Sequence, residues 1–307
     1  MKILISDKFR DEGIKIFQEN GFEVIKNFTI TPEELKQDIE KYDAIIIRSR
    51  TKLTVDILEN AKNLKVIGRA GVGLDNVDLK KAEEMNIKVF NTPEAPSVSV
   101  AELAIGLMLS LARHVTKADK TMHVGEWRKN EYMGYVLKGK KIGLIGFGNI
   151  GQAVAKRCAA LEMDVGIFDV IPELLEKAKT LGYTVHPSID DLVTKAQIIS
   201  LHVPANEHTK NMINAQRLDL MNENTIIINT ARGALIDEEA LINSLKNKEI
   251  GGAALDVFLE EPLKNESLYG VEDNLILTPH IGSSTVETQV SASVGVAEKV
   301  SHFLKRL

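Results

Sequence analysis

Only one cysteine occurs among the 307 residues. Cys158 therefore cannot form an internal disulfide, and it belongs to no cysteine cluster that could hold a metal. It lies in a stretch that we expect to be helical, behind a glycine-rich motif, and this favours a buried structural thiol over a reactive one. We expect no metal site.

Positive charge is not in excess either. The chain has 38 lysines and arginines against 43 acidic residues, so no overall basic field would attract nucleic acid or an anionic membrane. Residues 1–7 become charged too early for a signal peptide, and no run reaches the roughly 18 apolar residues of a membrane span. Repeats and low-complexity tracts are absent as well. These absences favour a soluble cytoplasmic protein with neither nucleic acid nor membrane as partner.

The sequence does contain a regular alternation of short apolar runs with amphipathic stretches. This alternation predicts an α/β fold with parallel sheets, in two series that correspond to two domains. The first series of predicted strands covers residues 3–6, 23–25, 44–47, 66–67 and 89–91, and the second covers 142–145, 165–168, 198–202, 225–229, 252–256 and 275–277.

A long apolar helix is predicted between the two series. Residues 99–102, Ser-Val-Ala-Glu, have the spacing of a capping box, and the apolar pattern continues to about His114. Its apolar surface is broader than one stripe, so we expect a domain contact or a second subunit to cover it. A homodimer is the resulting prediction. Residues 285–307 predict a last helix, which we expect to pack on the N-terminal series.

A glycine-rich turn follows the first strand of the second series. The segment Gly146-Phe147-Gly148-Asn149-Ile150-Gly151 matches G-x-G-x-x-G between an apolar strand and a predicted helix, the context in which this pattern is specific. Gly146 allows a tight turn, Gly148 lets a pyrophosphate approach the backbone, and Gly151 lets helix and strand pack closely. The segment therefore predicts a Rossmann unit that binds a dinucleotide.

Asp169 ends the next predicted strand, eighteen positions after Gly151. This is close to the separation expected for the acid that binds the adenosine ribose. A carboxylate would repel the 2′-phosphate of NADP, and residues 170–172 supply no arginine to offset it. NAD is therefore the predicted cofactor. The alternative, that Asp169 only caps the following turn, does not account for the glycines.

Three charged side chains follow later strands, at the sheet edge where open α/β sheets bind ligands. Hydride transfer from a carbinol carbon requires a group that exchanges the hydroxyl proton, and His280 is the candidate. Glu261 would orient its imidazole, and Arg232 would hold a carboxylate and polarise the carbonyl. Each residue alone has an ordinary alternative. Arg232 could form a surface ion pair, Glu261 could be a solvated loop acid, and His280 could cap the turn after the proline. Beside a cofactor turn they favour catalysis.

The chain resembles the NAD-dependent D-2-hydroxyacid dehydrogenases nearly end to end, and among them the phosphoglycerate-oxidising type. The resemblance is carried by Gly68-Arg69-Ala70-Gly71-Val72-Gly73-Leu74-Asp75-Asn76-Val77-Asp78, the glycine turn, and residues 229–233, 252–262 and 278–283. It implies two doubly wound domains: a Rossmann NAD domain, residues 97–283, inserted into a flavodoxin-like substrate domain, residues 1–96 and 284–307. It also implies a catalytic His280 paired with Glu261, with Arg232 binding substrate.

Further cofactor contacts are implied at the strand ends and in the last loop. Beyond the glycines they are Asn149, Ile150, Asp169, His202, Val203, Pro204, Thr230, Ala231, Arg232, Asp256, His280, Gly282 and Ser283, with Val72 facing the nicotinamide side. Asp256 is expected near the nicotinamide amide, and His202 is expected to shape the pocket. Residues 95–97, Ala-Pro-Ser, depart from relatives that often carry an asparagine there, which puts one contact in doubt.

A phosphorylated substrate would need further cations. Arg48-Ser49-Arg50 and Arg69 follow two predicted strands of the first series, and Gly71, Val72 and Gly73 extend this predicted substrate site. The alternative is that Arg48 and Arg69 form surface or interdomain ion pairs. Arg128 and Lys129, beside Trp127, either reach a neighbouring subunit's site or lie in a solvated loop.

The combined prediction is NAD-dependent oxidation of 3-phospho-D-glycerate to 3-phosphohydroxypyruvate, the first step of serine biosynthesis. A glyoxylate, hydroxypyruvate or D-lactate-type reductase is the alternative, and phosphate binding by Arg48 and Arg69 separates the two. An NAD-sensing protein that resembles transcriptional corepressors is a third, remote alternative. Longer relatives carry serine-binding modules behind the last helix, so we expect serine to leave the activity of this chain unchanged.

The assignment of His280 can be tested by its replacement with alanine. We expect His280→Ala to abolish turnover, because general acid–base catalysis contributes roughly 100-fold to 10,000-fold to rate. NADH should still bind, because the other implied cofactor contacts remain, and fluorescence titration measures this binding independently of turnover. Substantial remaining activity would remove His280 from this role.

Overall fold

The chain forms two compact units, and the computed structural model describes residues 1–271 and 274–307. The first unit comprises residues Met1–Ser97 and Ser283–Leu307, and the second comprises Val98–Gly282.

Within the first unit, the described strands form one parallel sheet in the order β2-β1-β3-β4-β5. This is the flavodoxin-like order, with helices on the connections. Its elements up to residue 91 are β1 (Lys2–Ile5), α1 (Asp11–Glu19), β2 (Glu23–Lys26), α2 (Pro32–Asp38), β3 (Ala44–Ile47), α3 (Val55–Leu58), β4 (Val66–Arg69), α4 (Leu79–Glu84) and β5 (Lys88–Asn91).

The second unit contains a larger parallel sheet. Its elements in the described ranges are α5 (Ser97–Ala112), α6 (Val115–His123), β6 (Lys141–Ile145), α7 (Asn149–Ala160), β7 (Asp164–Phe168), α8 (Pro172–Thr180), β8 (Thr184–Val185), α9 (Ile189–Lys195), β9 (Ile198–Leu201), α10 (Ala215–Asp219), β10 (Ile226–Asn229), α11 (Glu238–Lys246), β11 (Gly252–Leu255), α12 (Glu266–Tyr269) and β12 (Leu275–Leu277). The strand order is β12-β11-β10-β9-β6-β7-β8. Strands β7 and β8 lie on one side of β6, and β9 to β12 lie on the other side. The order of the strands therefore reverses between β6 and β9, and this is the point at which Rossmann sheets bind their ligands. The predicted α/β fold with two parallel sheets is confirmed.

Two details of the sequence-based expectation need correction. Strand β8 is a two-residue edge strand, too short to leave an apolar pattern of its own. Helix α5 begins at Ser97, so Ser99 lies in its first turn and is not the N-cap that the capping-box spacing predicted.

The last helix, α13 (Val286–Leu304), packs on the first unit. Val296, Ala297, Val300 and Leu304 are buried in one cluster with residues of β1, β3 and β4. A Cβ on Gly68 of β4 would lie 2.8 Å from Val296 Cγ2, so this glycine permits the close approach of helix and strand. The C-terminal segment thus completes the core of the N-terminal sheet.

No single helix among the described residues is long and apolar enough to cross a membrane. Helices α5 and α6 meet the length and composition requirement only when they are taken together, and they are bent by 67° at their junction. The cytoplasmic location stays a prediction.

Candidate active site

Arg232, Glu261 and His280 follow β10, β11 and β12, which are neighbours in one parallel sheet. Because parallel strands all end at the same edge of the sheet, their connections emerge together. The topology therefore brings the three predicted catalytic residues to one edge of the second unit.

Glu261 and His280 form a direct hydrogen bond. His280 Nδ1 lies 2.6 Å from Glu261 Oε2, and the other oxygen, Oε1, accepts the Phe258 N–H at 3.1 Å. His280 has a φ of 51°, in the left-handed region, and about half of its side chain is exposed. The carboxylate therefore engages one ring nitrogen while the ring remains accessible.

Asp256 holds the loop that carries His280. Its buried carboxylate accepts hydrogen bonds from the Thr278 hydroxyl at 2.6 Å and from the backbone N–H groups of Ile281 and Gly282, both at 2.8 Å. Three hydrogen bonds on one carboxylate fix the Thr278 side chain before His280 and the backbone after it. The implied contact of Asp256 with the nicotinamide amide stays a prediction.

The turn that carries Arg232 is held by Asn229, which is also buried. Asn229 donates from Nδ2 to the Arg232 carbonyl at 2.8 Å and accepts the Ala231 N–H at 3.0 Å. A Cβ on Gly233 would lie 1.9 Å from the carbonyl carbon of Phe258. Glycine here lets the Arg232 turn contact the loop that leads to Glu261.

The glycine turn between β6 and α7 leaves room for a ligand. Gly146 has a φ of 99°, and a Cβ on Gly151 would lie 2.2 Å from the Gly146 carbonyl oxygen, so both positions require glycine. A Cβ on Gly148 would instead meet nothing within 4 Å. Gly148 is the N-cap of α7, and no side chain of the described residues caps this end. An open helix N-terminus of this kind fits a pyrophosphate.

Asp169 lies against this turn. Its Oδ2 accepts the Phe147 N–H at 2.6 Å, and its Oδ1 accepts the Ile171 N–H at 2.9 Å. The capping of the following turn, which we considered as an alternative, is therefore present. Each carboxylate oxygen can accept a second hydrogen bond, so the predicted contact with the ribose is compatible with both bonds.

Two predicted cofactor residues carry buried polar atoms that have no hydrogen-bond partner within the described part of the chain. These atoms are His202 Nδ1 and Thr230 Oγ1. His202 Nε2 lies 2.9 Å from Ser200 Oγ, and burial lowers the pKa of His202 from 6.5 to about 4. The imidazole is neutral at pH 7. Orphaned polar atoms at strand ends beside an open glycine turn fit a polar cofactor.

In the first unit, a buried carboxylate that the sequence analysis missed organises the loop after β3. Asp7 accepts the backbone N–H of Arg48 at 2.6 Å, the hydroxyl of Thr51 at 2.8 Å and Nε of Arg50 at 3.0 Å. Arg50 is thus used within the unit. The sequence signal that could have identified Asp7 is its position as an acidic residue directly after the predicted strand 3–6.

Arg48 differs from Arg50. Its backbone N–H and carbonyl are hydrogen-bonded to Asp7 and Asn76, but no partner for its guanidinium is found among the residues described. Arg48 is half-buried, and burial lowers the pKa of its guanidinium. An anion bound there would offset the cost of this burial.

In the Ala-Gly-Val-Gly loop of the same unit, the guanidinium of Arg69 lies directly against Gly71. Gly71 has a φ of 145°, and a Cβ there would lie 1.8 Å from Arg69 Nη1, so any side chain would displace the guanidinium. The Val72 carbonyl accepts a 2.6 Å hydrogen bond from Asn91. The predicted substrate loop is therefore held by residues of its own unit.

The remaining expectations concern residues away from these loops. Cys158 is buried, as predicted, and burial raises the pKa of its thiol to about 12. Arg128 pairs with Glu126 at 2.6 Å and Glu131 at 3.4 Å in its own chain, beside the exposed Trp127. In the described ranges, no group of three metal-ligating side chains lies close enough to hold an ion.

A Rossmann sheet with an open glycine turn and a histidine–carboxylate pair at its edge is typical of nicotinamide-dependent dehydrogenases. Residues 105–282 match the family model described as the D-isomer specific 2-hydroxyacid dehydrogenase, NAD binding domain. The chain belongs to this family, and its cofactor is NAD. The predicted resemblance and the predicted cofactor are both confirmed.

Individual relatives span several activities. The chain is 45% identical to D-3-phosphoglycerate dehydrogenase of Methanocaldococcus jannaschii over 99% of its own length, but it spans only 58% of that protein. It is 42% identical to hydroxypyruvate reductase of Thermotoga maritima over 97% of both chains. Among solved structures, the NAD complex of formate dehydrogenase from Staphylococcus aureus superimposes with a TM-score of 0.87, at 29% identity, over 100% of this chain and 96% of that one.

The buried state of His202 predicts a pH-dependent stability. Because its folded-state pKa of about 4 lies below the ordinary value of 6.5, the unfolded chain takes up the proton first as pH falls. The stability associated with the neutral ring is present above pH 6.5 and is lost between pH 6.5 and 4, on the order of 3 kcal/mol. In urea unfolding, the difference between wild type and His202→Asn should fall by this amount from pH 7 to 4. If the difference in free energy of unfolding stays constant between pH 7 and 4, His202 is not buried in the neutral form with a lowered pKa.

Proposed function

We propose that this chain oxidises 3-phospho-D-glycerate to 3-phosphohydroxypyruvate with NAD, the first step of serine biosynthesis. The observation that carries the dehydrogenase chemistry is the 2.6 Å contact between His280 Nδ1 and Glu261 at the sheet edge where Arg232 also lies. The phosphorylated substrate is supported by the half-buried guanidinium of Arg48 and by the similarity to D-3-phosphoglycerate dehydrogenases.

NAD, when bound, supplies the acceptor for the hydride that leaves C2 of the substrate. His280 takes the hydroxyl proton as the hydride departs. Since the carboxylate of Glu261 accepts from Nδ1, the nitrogen that exchanges the proton with substrate is Nε2. Glu261 also offsets the charge that the ring gains. In the reverse direction His280 returns the proton to the carbonyl oxygen.

Arg232 binds the substrate carboxylate and polarises the C2–oxygen bond. A guanidinium matches a carboxylate in two parallel hydrogen bonds, which fixes the orientation of C2 as well as its charge. The Asn229 side chain supports this role because it holds the backbone on both sides of the Ala231–Arg232 bond. Substrate orientation then depends on a rigid turn and not only on a flexible side chain.

Arg48 binds the phosphate in this proposal, and Arg50 does not. The guanidinium of Arg50 donates to Asp7 and to the carbonyls of Ser6 and Ile30, so it stabilises the loop itself. Arg69, supported on Gly71, is the second proposed phosphate or carboxylate contact. Residues 49 and 71–73 would contribute backbone and small side chains beside these cations.

A reductase of unphosphorylated hydroxy acids is the second candidate. It is favoured by the similarity to the Thermotoga maritima hydroxypyruvate reductase, which matches over nearly the full length of both chains. The two candidates share the proposed chemistry at His280, Glu261 and Arg232 and differ only in what Arg48 and Arg69 bind.

Substitution of Arg48 separates the two candidates. We expect Arg48→Gln to lower kcat/KM for phosphohydroxypyruvate about 10-fold to 100-fold, because a hydrogen bond to a charged group contributes roughly 1.5–3 kcal/mol. The value for hydroxypyruvate should stay within about twofold. Lys52→Gln is the matched control, since it removes the same charge from an exposed position of the same loop. Equal losses for both substrates, or none, would reject phosphate binding by Arg48.

We also propose that two copies of the chain associate through the second unit. The support is a series of exposed apolar side chains on α5, α6 and the segment that follows them. They are Val98, Leu109, Val115, Met122, Val124, Trp127, Met133 and Val136. Sedimentation equilibrium should give twice the mass of the chain, and Trp127→Asp should weaken the association while the exposed control Leu181→Asp should not. A monomer at micromolar concentration would refute the proposal.

A further inference from the structure

The loop between β11 and α12 carries Glu261, and a second carboxylate holds this loop from outside. We infer that Glu238, the first residue of α11, is a positioning residue for the Glu261–His280 pair. This inference rests on the catalytic roles proposed above for Glu261 and His280. Glu238 does not itself belong to the pair, and its role is to fix the backbone on either side of Glu261.

Glu238 holds the loop at two points. Its Oε1 accepts the Leu259 N–H at 2.8 Å, and its Oε2 accepts Nδ2 of Asn265 at 3.0 Å. Leu259 lies two residues before Glu261, and Asn265 lies four residues after it. One side chain therefore joins both ends of the segment that contains Glu261 to the start of α11.

The part of the segment next to Glu261 has little apolar anchorage. The side chains at 259–261 are exposed, with Leu259 63% exposed, and the apolar side chain that packs on the core within the segment is Leu263. Hydrogen bonds are therefore expected to contribute much of the anchorage at Glu261 itself. The contacts of Glu238 reach this loop from another element, as the bond between His280 and Glu261 also does.

The same connection also carries Arg232. Glu238 follows Arg232 by six residues, and Gly233 between them contacts Phe258 and Leu259 so closely that a Cβ would not fit. The connection from β10 to α11 thus contacts the Glu261 loop twice. Gly233 contacts its first residues, and Glu238 bonds to Leu259 before Glu261 and to Asn265 after it. This arrangement keeps Glu261 at a defined distance from Arg232 as well as from His280.

We call the two hydrogen bonds from Leu259 and Asn265 to Glu238 the clamp, and their chemistry requires a carboxylate. Asn265 caps α12 by accepting the Ser267 N–H on Oδ1, so its amide orientation is fixed and Nδ2 faces Glu238. Both groups that Glu238 meets are donors, and a carboxylate offers a separate acceptor oxygen to each, whereas an amide has only one oxygen. Glu238→Gln would keep one of the two bonds and place an NH2 group against the other donor.

Loss of the clamp should affect turnover more than stability. Because Leu259 is exposed, water can replace the acceptor lost in Glu238→Ala, and the free energy of unfolding should change little. The loop would gain freedom, however, and a displacement of about 1 Å at a catalytic pair can lower the rate as much as about 100-fold. The matched control is Glu239→Ala, which removes the same charge from the same helical turn at an exposed position.

The first experiment measures kcat and NADH binding for four variants. We expect kcat to fall about tenfold or more in Glu238→Ala and less in Glu238→Gln, with NADH affinity unchanged and Glu239→Ala within about twofold of wild type. Asn265→Ser, which keeps a capping side chain but removes the amide donor to Glu238, should resemble Glu238→Gln. If Glu238→Ala matches Glu239→Ala in kcat, the positioning role is refuted.

A double-mutant cycle then tests whether Glu238 acts through Glu261. In a Glu261→Gln background, Glu238→Ala should lower kcat by less than about twofold, because the residue that it positions has already been lost. Additive losses would overturn the inference and indicate a general structural effect.

Hydrogen exchange keeps the clamp testable apart from the reaction. The amides of residues 257–265 should exchange faster in Glu238→Ala than in Glu239→Ala, with the rest of the second unit unchanged. Unchanged exchange would refute the clamp. A wild-type chain without turnover on any 2-hydroxy acid would refute the proposed function, whereas an active wild type with an unaffected Glu238→Ala would refute only the positioning role.

Discussion

Parallel pairing of strands is the constraint on which the rest of this structure depends. In a parallel sheet every strand ends at the same edge, so each connection that leaves a strand emerges beside its neighbours. The second unit uses this edge for the glycine turn after β6, Asp169 after β7, His202 after β9, and the charged residues after β10, β11 and β12. Residues more than 130 positions apart in the chain therefore reach one rim without any special device.

The position of a strand end does not by itself orient the side chains that follow it. In both units, buried or half-buried polar groups orient them through hydrogen bonds to the loops. Asp256 holds the loop that carries His280, Asn229 holds the Arg232 turn, and Asp7 holds the loop of Arg48. Each group accepts or donates several hydrogen bonds to loop backbone, and the loop inherits the rigidity of the strand from which the group projects. Glu238 extends the same principle from the start of a helix.

The two arginines of the Arg48-Ser49-Arg50 segment illustrate how sequence neighbours acquire different roles. Arg50 turns back into its own unit and donates to Asp7, while Arg48 carries a half-buried guanidinium whose pKa burial lowers. Desolvation of a cation is unfavourable, and a bound anion is one way in which an enzyme recovers that cost. The distinction bears directly on whether a phosphorylated or a plain hydroxy acid is the better substrate.

The sequence by itself determined the alternation of strands and helices, the dinucleotide-binding turn and the three charged residues of the proposed catalytic edge. These are local signals, since apolar period and glycine spacing depend on residues close together in the chain. Tertiary structure decided the partners of Asp7, Asp256 and Glu238, the difference between Arg48 and Arg50, and the residues through which α13 packs on the sheet of the first unit. Those contacts join residues from about 20 to about 300 positions apart. Such pairings leave no periodic trace in the sequence, because they depend only on which strand ends and helix faces the completed fold brings together.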